Sequence, residues 1–177
     1  MMKLLFITTC LTFCLNAFSE MEGEPVYEYD FSQPLVWSSW KSANASGKFL
    51  WNPDEGHDKK GAMEIAIVEG HNSGGNFCYL KHFSAVPGEK YTAVVWIKAE
   101  DIAPTSEIVL AFQAKDSNKK FLDTPVVSTI VLGSEFVNGW KQIILNFVVP
   151  TENKWNKTAF LLCTVGINKA SKGRVFI

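Results

Sequence analysis

Apolar and polar residues alternate with a period of two along most of this chain, and no long segment has apolar residues at helical spacing. The alternation is clear at residues 27–31 and 63–67 and strongest at 91–97, where β-branched and aromatic residues dominate. We expect one face of that last strand to be buried and the following Lys98 to be exposed; the residues of the buried face are Tyr91, Ala93, Val95 and Ile97.

The same criteria predict further strands along the rest of the chain, at residues 76–83, 108–114, 126–132, 141–149, 158–165 and 174–177. Short strands joined by Gly, Pro, Asn and Asp turns predict an all-β fold, a two-sheet antiparallel β-sandwich of the jelly-roll kind. Residues 32–61 are the least regular part and are expected to be rich in loops.

The first residues have the pattern of a secretory signal peptide. Lys3 precedes an apolar run, residues 4–15, which is too short to cross a hydrocarbon layer of ~30 Å. Ala17 and Ser19 are the small residues that signal peptidase reads, so cleavage is expected after Ser19. We therefore predict a leader at residues 1–19 and a protein that is secreted, to the extracellular space or the periplasm.

Residues 20–177 have the length of one domain with a full hydrophobic core. The sequence has 17 basic and 18 acidic residues, a net charge of −1, and no basic cluster, so nucleic acid is not an expected partner. No later apolar run has the length of a membrane span, and the protein is not expected to span a membrane.

Three segments in a fixed order carry a resemblance to a known family: residues 86–99 (VPGEKYTAVVWIKA), the stretch from Gly139-Trp140-Lys141 to Pro150, and residues 173–177 (GRVFI). Together they resemble the carbohydrate-binding modules appended to bacterial cellulases and xylanases, which share a galactose-binding-domain-like jelly roll. The resemblance covers roughly residues 25–177 and is more specific for the fold than for the ligand.

This resemblance implies a non-catalytic module that binds a plant-type or other polysaccharide in a concave groove, with a covalently linked catalytic domain in a longer protein as a further partner. In the family the last strand continues with acidic residues after the segment matching Val175-Phe176-Ile177. We therefore expect either a fragment or a shortened strand. Whether the structural calcium site of relatives exists here is left open, and no other cofactor is expected.

Sugars have an apolar C–H face and a rim of hydroxyls, so their sites pair aromatic rings with hydrogen-bonding groups. If residues 76–83 bury Cys78 and Leu80, alternation places Tyr79 and Lys81 on the outer face. The same reasoning turns Gln113 outward, and the resemblance places both strands in the concave sheet. The predicted ligand-binding residues are Tyr79, Lys81 and Gln113 along the groove, with Trp37, Trp40 and Trp51 approaching from the early loops.

A core role is the alternative for each of these tryptophans, and Trp96 and Trp140 are expected to be structural. Cys78 and Cys163 fall on strands that are adjacent in the resembling fold, so both are expected to point into one core, with a disulfide left open.

Catalysis is not expected, because no pair of carboxylates suited to glycoside hydrolysis stands out. The acidic loop at residues 54–58 fits no calcium-loop pattern, and no two histidines lie at zinc-ligand spacing. The competing interpretation is a structural or protein-interaction β-sandwich of the cell surface that binds no glycan.

Overall fold

The computed structural model describes residues 3–6, 25–34, 37–58, 60–68, 75–137 and 139–177. Two β-sheets pack face to face, which confirms the predicted all-β sandwich. The strands are β1 (Lys3–Phe6), β2 (Pro25–Tyr27), β3 (Ser38–Lys41), β4 (Gly47–Asn52), β5 (Ala62–Ile67), β6 (Gly75–Ser84), β7 (Lys90–Glu100), β8 (Glu107–Lys115), β9 (Val127–Leu132), β10 (Trp140–Val148), β11 (Phe160–Ala170) and β12 (Gly173–Phe176).

One sheet has seven strands in the order β2-β1-β7-β12-β5-β4, with β10 paired to β7. The other has five strands in the order β3-β6-β11-β8-β9. All pairs are antiparallel except β1 with β2 and β1 with β7. Two 3-10 helices, Gly133–Glu135 and Asn153–Lys157, are the helical elements of the described residues, and neither approaches the length and apolarity that a membrane crossing requires.

The inner face of β7 forms the centre of the core, as its alternation predicts. Tyr91 is 3 % exposed and Ala93, Val95 and Ile97 are fully buried. Lys98, predicted to be exposed, is instead half-buried, because its ammonium group bonds to Glu55 at 3.1 Å and Glu100 at 2.7 Å. Alternation therefore gave the correct face, while tertiary ion pairs decided the exposure of the charged residue.

The region predicted to be rich in loops contains two strands, β3 and β4. Each holds a tryptophan that pairing places on a defined face: Trp40 lies opposite Cys78 in β6, and Trp51 lies opposite Met63 in β5. The predicted first strand at residues 27–31 is wrong beyond its first residue, because β2 ends at Tyr27 and Phe31 has a left-handed backbone (φ 56°) that is incompatible with an extended strand.

The strand β1 falls within the predicted leader and pairs in parallel with Tyr91–Val94 of β7. The predicted cleavage position after Ser19 lies outside the described residues.

The loop between β4 and β5 covers the part of the outer face of the seven-stranded sheet around Trp96. The His57 ring stacks on Trp96 with 3.8 Å between centroids and meets Trp140 edge-on at 6.1 Å. Glu55 on the same loop bonds to Lys98 of β7. Trp96 and Trp140 therefore have a structural role under this loop, as the sequence predicts.

Candidate functional site

The outer face of the five-stranded sheet carries side chains that the register aligns into rows across the strands. The first row begins at the edge strand β3 and continues across the sheet through Trp40, Cys78, Gly166, Val109 and Ile130. Two residues further along each strand, the next row contains Ser38, Leu80, Thr164, Ala111 and Ser128. The third contains His82, Leu162 and Gln113, and the fourth contains Ser84, Phe160 and Lys115, with Phe121 bridged to Lys115.

Residues of the first three rows, together with Phe121, line an open groove of about 480 Å³. Trp40 is 51 % exposed at one end, and Phe121 is 59 % exposed at the other. Four strand spacings of ~4.8 Å and six residues at a rise of ~3.4 Å separate the backbones of these two residues by roughly 28 Å on the diagonal. Gln113 and Thr164 lie between them, and Asn168 lines the groove beyond the row of Trp40, so the groove combines aromatic rings with amide and hydroxyl groups.

The floor is low where β11 passes between β6 and β8, because Gly166 has no side chain. A Cβ atom on Gly166 would lie 2.0 Å from the carbonyl oxygen of Phe77, which is closer than any real contact. Glycine is therefore required here for β11 and β6 to pair, and its absent side chain leaves space beside Trp40.

Trp40 and Gln113 lie in the groove, where the sequence predicts them. They are on opposite sides of β11, which separates β6 from β8. Whether either contacts a sugar stays a prediction.

Tyr79 and Lys81 do not line this groove, and their predicted orientation is wrong. Tyr79 is 6 % exposed, and its hydroxyl donates towards the carbonyl oxygens of Glu64 (3.1 Å) and Leu50 (3.2 Å) on the opposite sheet. Lys81 points the same way, and its ammonium group lies 3.9 Å from the ring centroid of Tyr27. The two faces of β6 are the reverse of those predicted. Phe77 and Phe83 fill the core, so Cys78, Leu80 and His82 face outward.

Trp37 and Trp51 are also absent from the groove. Trp37 is 8 % exposed and packs edge-on against Phe83 in the core. Trp51 belongs to the seven-stranded sheet, and its indole N–H donates to the carbonyl oxygen of Phe31 at 2.9 Å. The core alternative considered for these tryptophans therefore describes Trp37. Trp51 is half-buried and its hydrogen bond holds it against the backbone of Phe31.

Cys78 and Cys163 lie on the neighbouring strands β6 and β11, as predicted, but face opposite sides of the sheet. Cys163 pairs with Lys81, which is three residues from Cys78. Residues an odd number of positions apart in a strand face opposite sides of the sheet, so Cys163 and Cys78 do as well. Both thiols are free, and burial raises the pKa of Cys78 to about 11 and that of Cys163 to about 12. The expectation of one shared core is wrong.

Beside Phe121, at the far end of the groove, two lysine ammonium groups lie over aromatic rings. The ammonium group of Lys115 lies 4.0 Å from the ring centroid of Phe121, and that of Lys119 lies 5.6 Å from Phe160. His82 meets Phe160 edge-on at 6.4 Å. Burial, followed by the charges of Lys115 and Lys119, lowers the pKa of His82.

Sequence reasoning missed Phe121, Phe160, His82 and Asn168 at this site. The signal was accessible in part, since the strand period that turns Gln113 outward also turns Lys115 outward. Phe121 follows a hairpin turn, and its place beside Lys115 depends on an isolated bridge. No group of three or more His, Cys, Asp or Glu side chains arranged for a metal occurs among the described residues.

Known structures with a similar fold include carbohydrate-binding modules. One match is a structure of carbohydrate-binding modules from the β-sandwich superfamily that are described as promiscuous in specificity. Its TM-score is 0.56 and its identity 15 %, over 79 % of this chain and 54 % of that one. The fold is that of a carbohydrate-binding module. The family 11 module of a Clostridium thermocellum cellulosomal cellulase matches with a TM-score of 0.50 and 16 % identity, over 83 % of this chain and 86 % of the module.

The enzymatically active domain of tailspike protein 4 of bacteriophage CBA120 also matches, with a TM-score of 0.57 and 12 % identity over 79 % of this chain. The chain spans about half the length of the first of these three proteins and 18 % of the tailspike. No protein-family model matches the sequence, and no curated protein matches it.

Proposed function

We propose that this chain is an exported, non-catalytic carbohydrate-binding module that holds a plant-type or other polysaccharide chain along the outer face of its five-stranded sheet. The observation that carries the proposal is the groove itself: exposed Trp40 and Phe121, with Gln113 and Thr164 between them and Asn168 beyond the row of Trp40.

The chemistry of the groove suits a glycan. The C–H faces of sugar rings pack on indole and phenyl rings, and their hydroxyls exchange hydrogen bonds with amides and threonine. The apolar floor formed by Leu80, Val109 and Ala111 would exclude water beneath the sugar. An open groove of this kind suits the interior of a long chain.

The biological role in this proposal is tethering. A module linked to a glycan-degrading domain raises the concentration of that domain at its insoluble substrate without adding a catalytic group. Export is part of the proposal, and the leader pattern at residues 1–19 supports it.

A second candidate is a structural or protein-interaction β-sandwich. The observation that favours it is the apolar edge strand β9, where Ile130 is 52 % exposed and Leu132 is 44 % exposed. An exposed apolar edge is a feature of surfaces that contact other protein domains.

The test is affinity electrophoresis of the folded domain over a panel of soluble polysaccharides, followed by calorimetry on the best ligand. Trp40→Ala should lower the affinity about tenfold, because a half-exposed indole contributes roughly 1–2 kcal/mol when a ligand covers it. Leu50→Ala is the matched control, since Leu50 is 44 % exposed on the outer face of the opposite sheet. Its affinity should equal that of the unmodified protein.

If the folded domain is not retarded by any polysaccharide of the panel, the binding proposal fails and the structural sandwich replaces it. If binding occurs and Leu50→Ala weakens it as much as Trp40→Ala does, a glycan site exists but lies elsewhere.

A further inference from the structure

One end of the groove has a charge that the binding of a neutral sugar does not require. Lys115 and Lys119 both direct their ammonium groups at outward-facing rings, Phe121 and Phe160, and both act on His82. We call the set of Lys115, Lys119 and His82 the cationic end.

The burial of Lys115 is the first observation that points to a ligand. Lys115 is 9 % exposed, and no carboxylate of the described residues forms an ion pair with it. Lysines this buried are normally paired with an acid. Its Phe121 ring satisfies the charge only in part, because a cation–π contact is weaker than a buried ion pair.

The acidic side chains of the adjacent hairpin are occupied. The Oδ1 atom of Asp116 accepts the backbone N–H groups of Asn118 and Lys120, each at 2.9 Å. Asp123 forms an ion pair with Lys154. Neither of these two acids forms an ion pair with Lys115 or Lys119.

His82 is a second, independent observation. Its Nε2 atom is buried and has no hydrogen-bond partner among the described residues. His82 lies in the same cross-strand row as Gln113, which lines the groove, and is separated from it by Leu162. The cationic end is thus continuous with the proposed sugar-binding surface.

We propose that the cationic end binds an acidic substituent of the glycan, so that the ligand is an anionic polysaccharide bearing carboxylate or sulfate groups. This inference rests on the proposed function, because it assigns a class of ligand to the same groove. The ammonium group of Lys115 is held in place against Phe121, and that of Lys119 extends from the hairpin over Phe160. The acidic group takes the place of the missing carboxylate partner of Lys115.

The test compares polysaccharides that differ only in charge. Polygalacturonate is paired with its fully methyl-esterified form, and a sulfated galactan with its desulfated form, so that the two pairs distinguish carboxylate from sulfate. Calorimetry at fixed ionic strength should show at least about tenfold tighter binding for the charged member of one pair. Lys115→Met and Lys119→Gln should each remove most of that difference.

Lys48→Gln is the matched control, because Lys48 is an exposed lysine on the outer face of the opposite sheet. It should retain the full preference for the charged polymer, which separates a local site from general attraction to a lysine-bearing surface. Lys119 is exposed, so Lys119→Gln remains informative if Lys115→Met lowers the melting temperature.

A pH series gives a readout that loss of structure would not imitate. The charged groups acting on His82 are Lys115 and Lys119, and both disfavour its protonated form. A bound anion opposes that effect, so binding takes up a proton and affinity for the charged polymer should rise from about pH 7 to about pH 5. Affinity for the neutral partner polymer should stay constant.

Equal binding of charged and neutral polymers overturns this inference and leaves the proposed function in place. A charge preference that survives in both lysine variants overturns it as well, because the acidic group then binds elsewhere. Absence of binding to every polymer, neutral or charged, refutes the proposed function and this inference with it.

Discussion

The imidazole of His57 stacks on the indole of Trp96, with ring centroids 3.8 Å apart and planes 20° from parallel. The contact fixes the loop between β4 and β5 over the outer face of the seven-stranded sheet, where Trp140 meets His57 edge-on. This loop covers the Trp96 indole, which would otherwise face solvent.

His57→Ala should lower the free energy of unfolding by about 1–2 kcal/mol, because it removes a stacked ring pair and exposes Trp96. His57→Phe keeps the stack and should be close to the unmodified protein. Denaturant melts measure both, with Asp54→Ala, an exposed position of the same loop, as the control. A loss as large in His57→Phe as in His57→Ala would show that stacking is not the cause.

Tyr79→Ala should destabilise the fold by ~3–5 kcal/mol, since it removes a buried ring that packs 5.0 Å from Phe49. Tyr79→Phe should cost about 1–2 kcal/mol, because the carbonyl oxygens of Leu50 and Glu64 lose their donor. Thermal melts check these values. Neither change should alter the affinity of the folded protein for a polysaccharide, since Tyr79 faces away from the groove; a selective loss of affinity would contradict that orientation.

Cys78 and Cys163 should both titrate as free thiols, and reducing agent should leave the melting temperature unchanged. In the native protein a maleimide should modify half-buried Cys78 slowly, because burial raises the pKa of its thiol, and Cys163 only after unfolding. Mass spectrometry of the intact protein checks this, and a mass lower by two hydrogen atoms under non-reducing conditions would reveal a disulfide.

Acid should weaken the ion pairs around Glu100. A hydrogen bond from Lys98, with a further contribution from Arg174, holds the pKa of Glu100 below its ordinary value. A carboxyl whose folded pKa is depressed adds stability above its unfolded pKa, and this stability is lost as pH falls through the folded pKa. We expect the melting temperature to fall below about pH 4.5, and less steeply in Glu100→Gln; Glu152→Gln, at an exposed position, should follow the unmodified protein.

The sequence by itself determined the fold class and much of the core. The period-two pattern identified the buried face of β7 and turned Gln113 outward in β8, because in both strands one face is plainly more apolar than the other. It failed at β6, where both faces are apolar enough to be core and Phe77 and Cys78 are equally plausible inside. Volume decided that choice, since the two phenylalanines and Tyr79 fill the space that Cys78 and Leu80 would leave empty.

Only the tertiary structure decided which aromatic residues face solvent. Trp37, Trp40 and Trp51 lie in one irregular stretch, yet Trp37 enters the core, Trp51 faces Phe31, and Trp40 is turned into the groove by its register with Cys78. The cationic end depends on a hairpin that folds Phe121 beside Lys115, and on the pairing of β8 with β11 beside β6. The pairings of β3 with β6 and of β8 with β11 are long-range, whereas periodicity reports only the faces of one strand at a time.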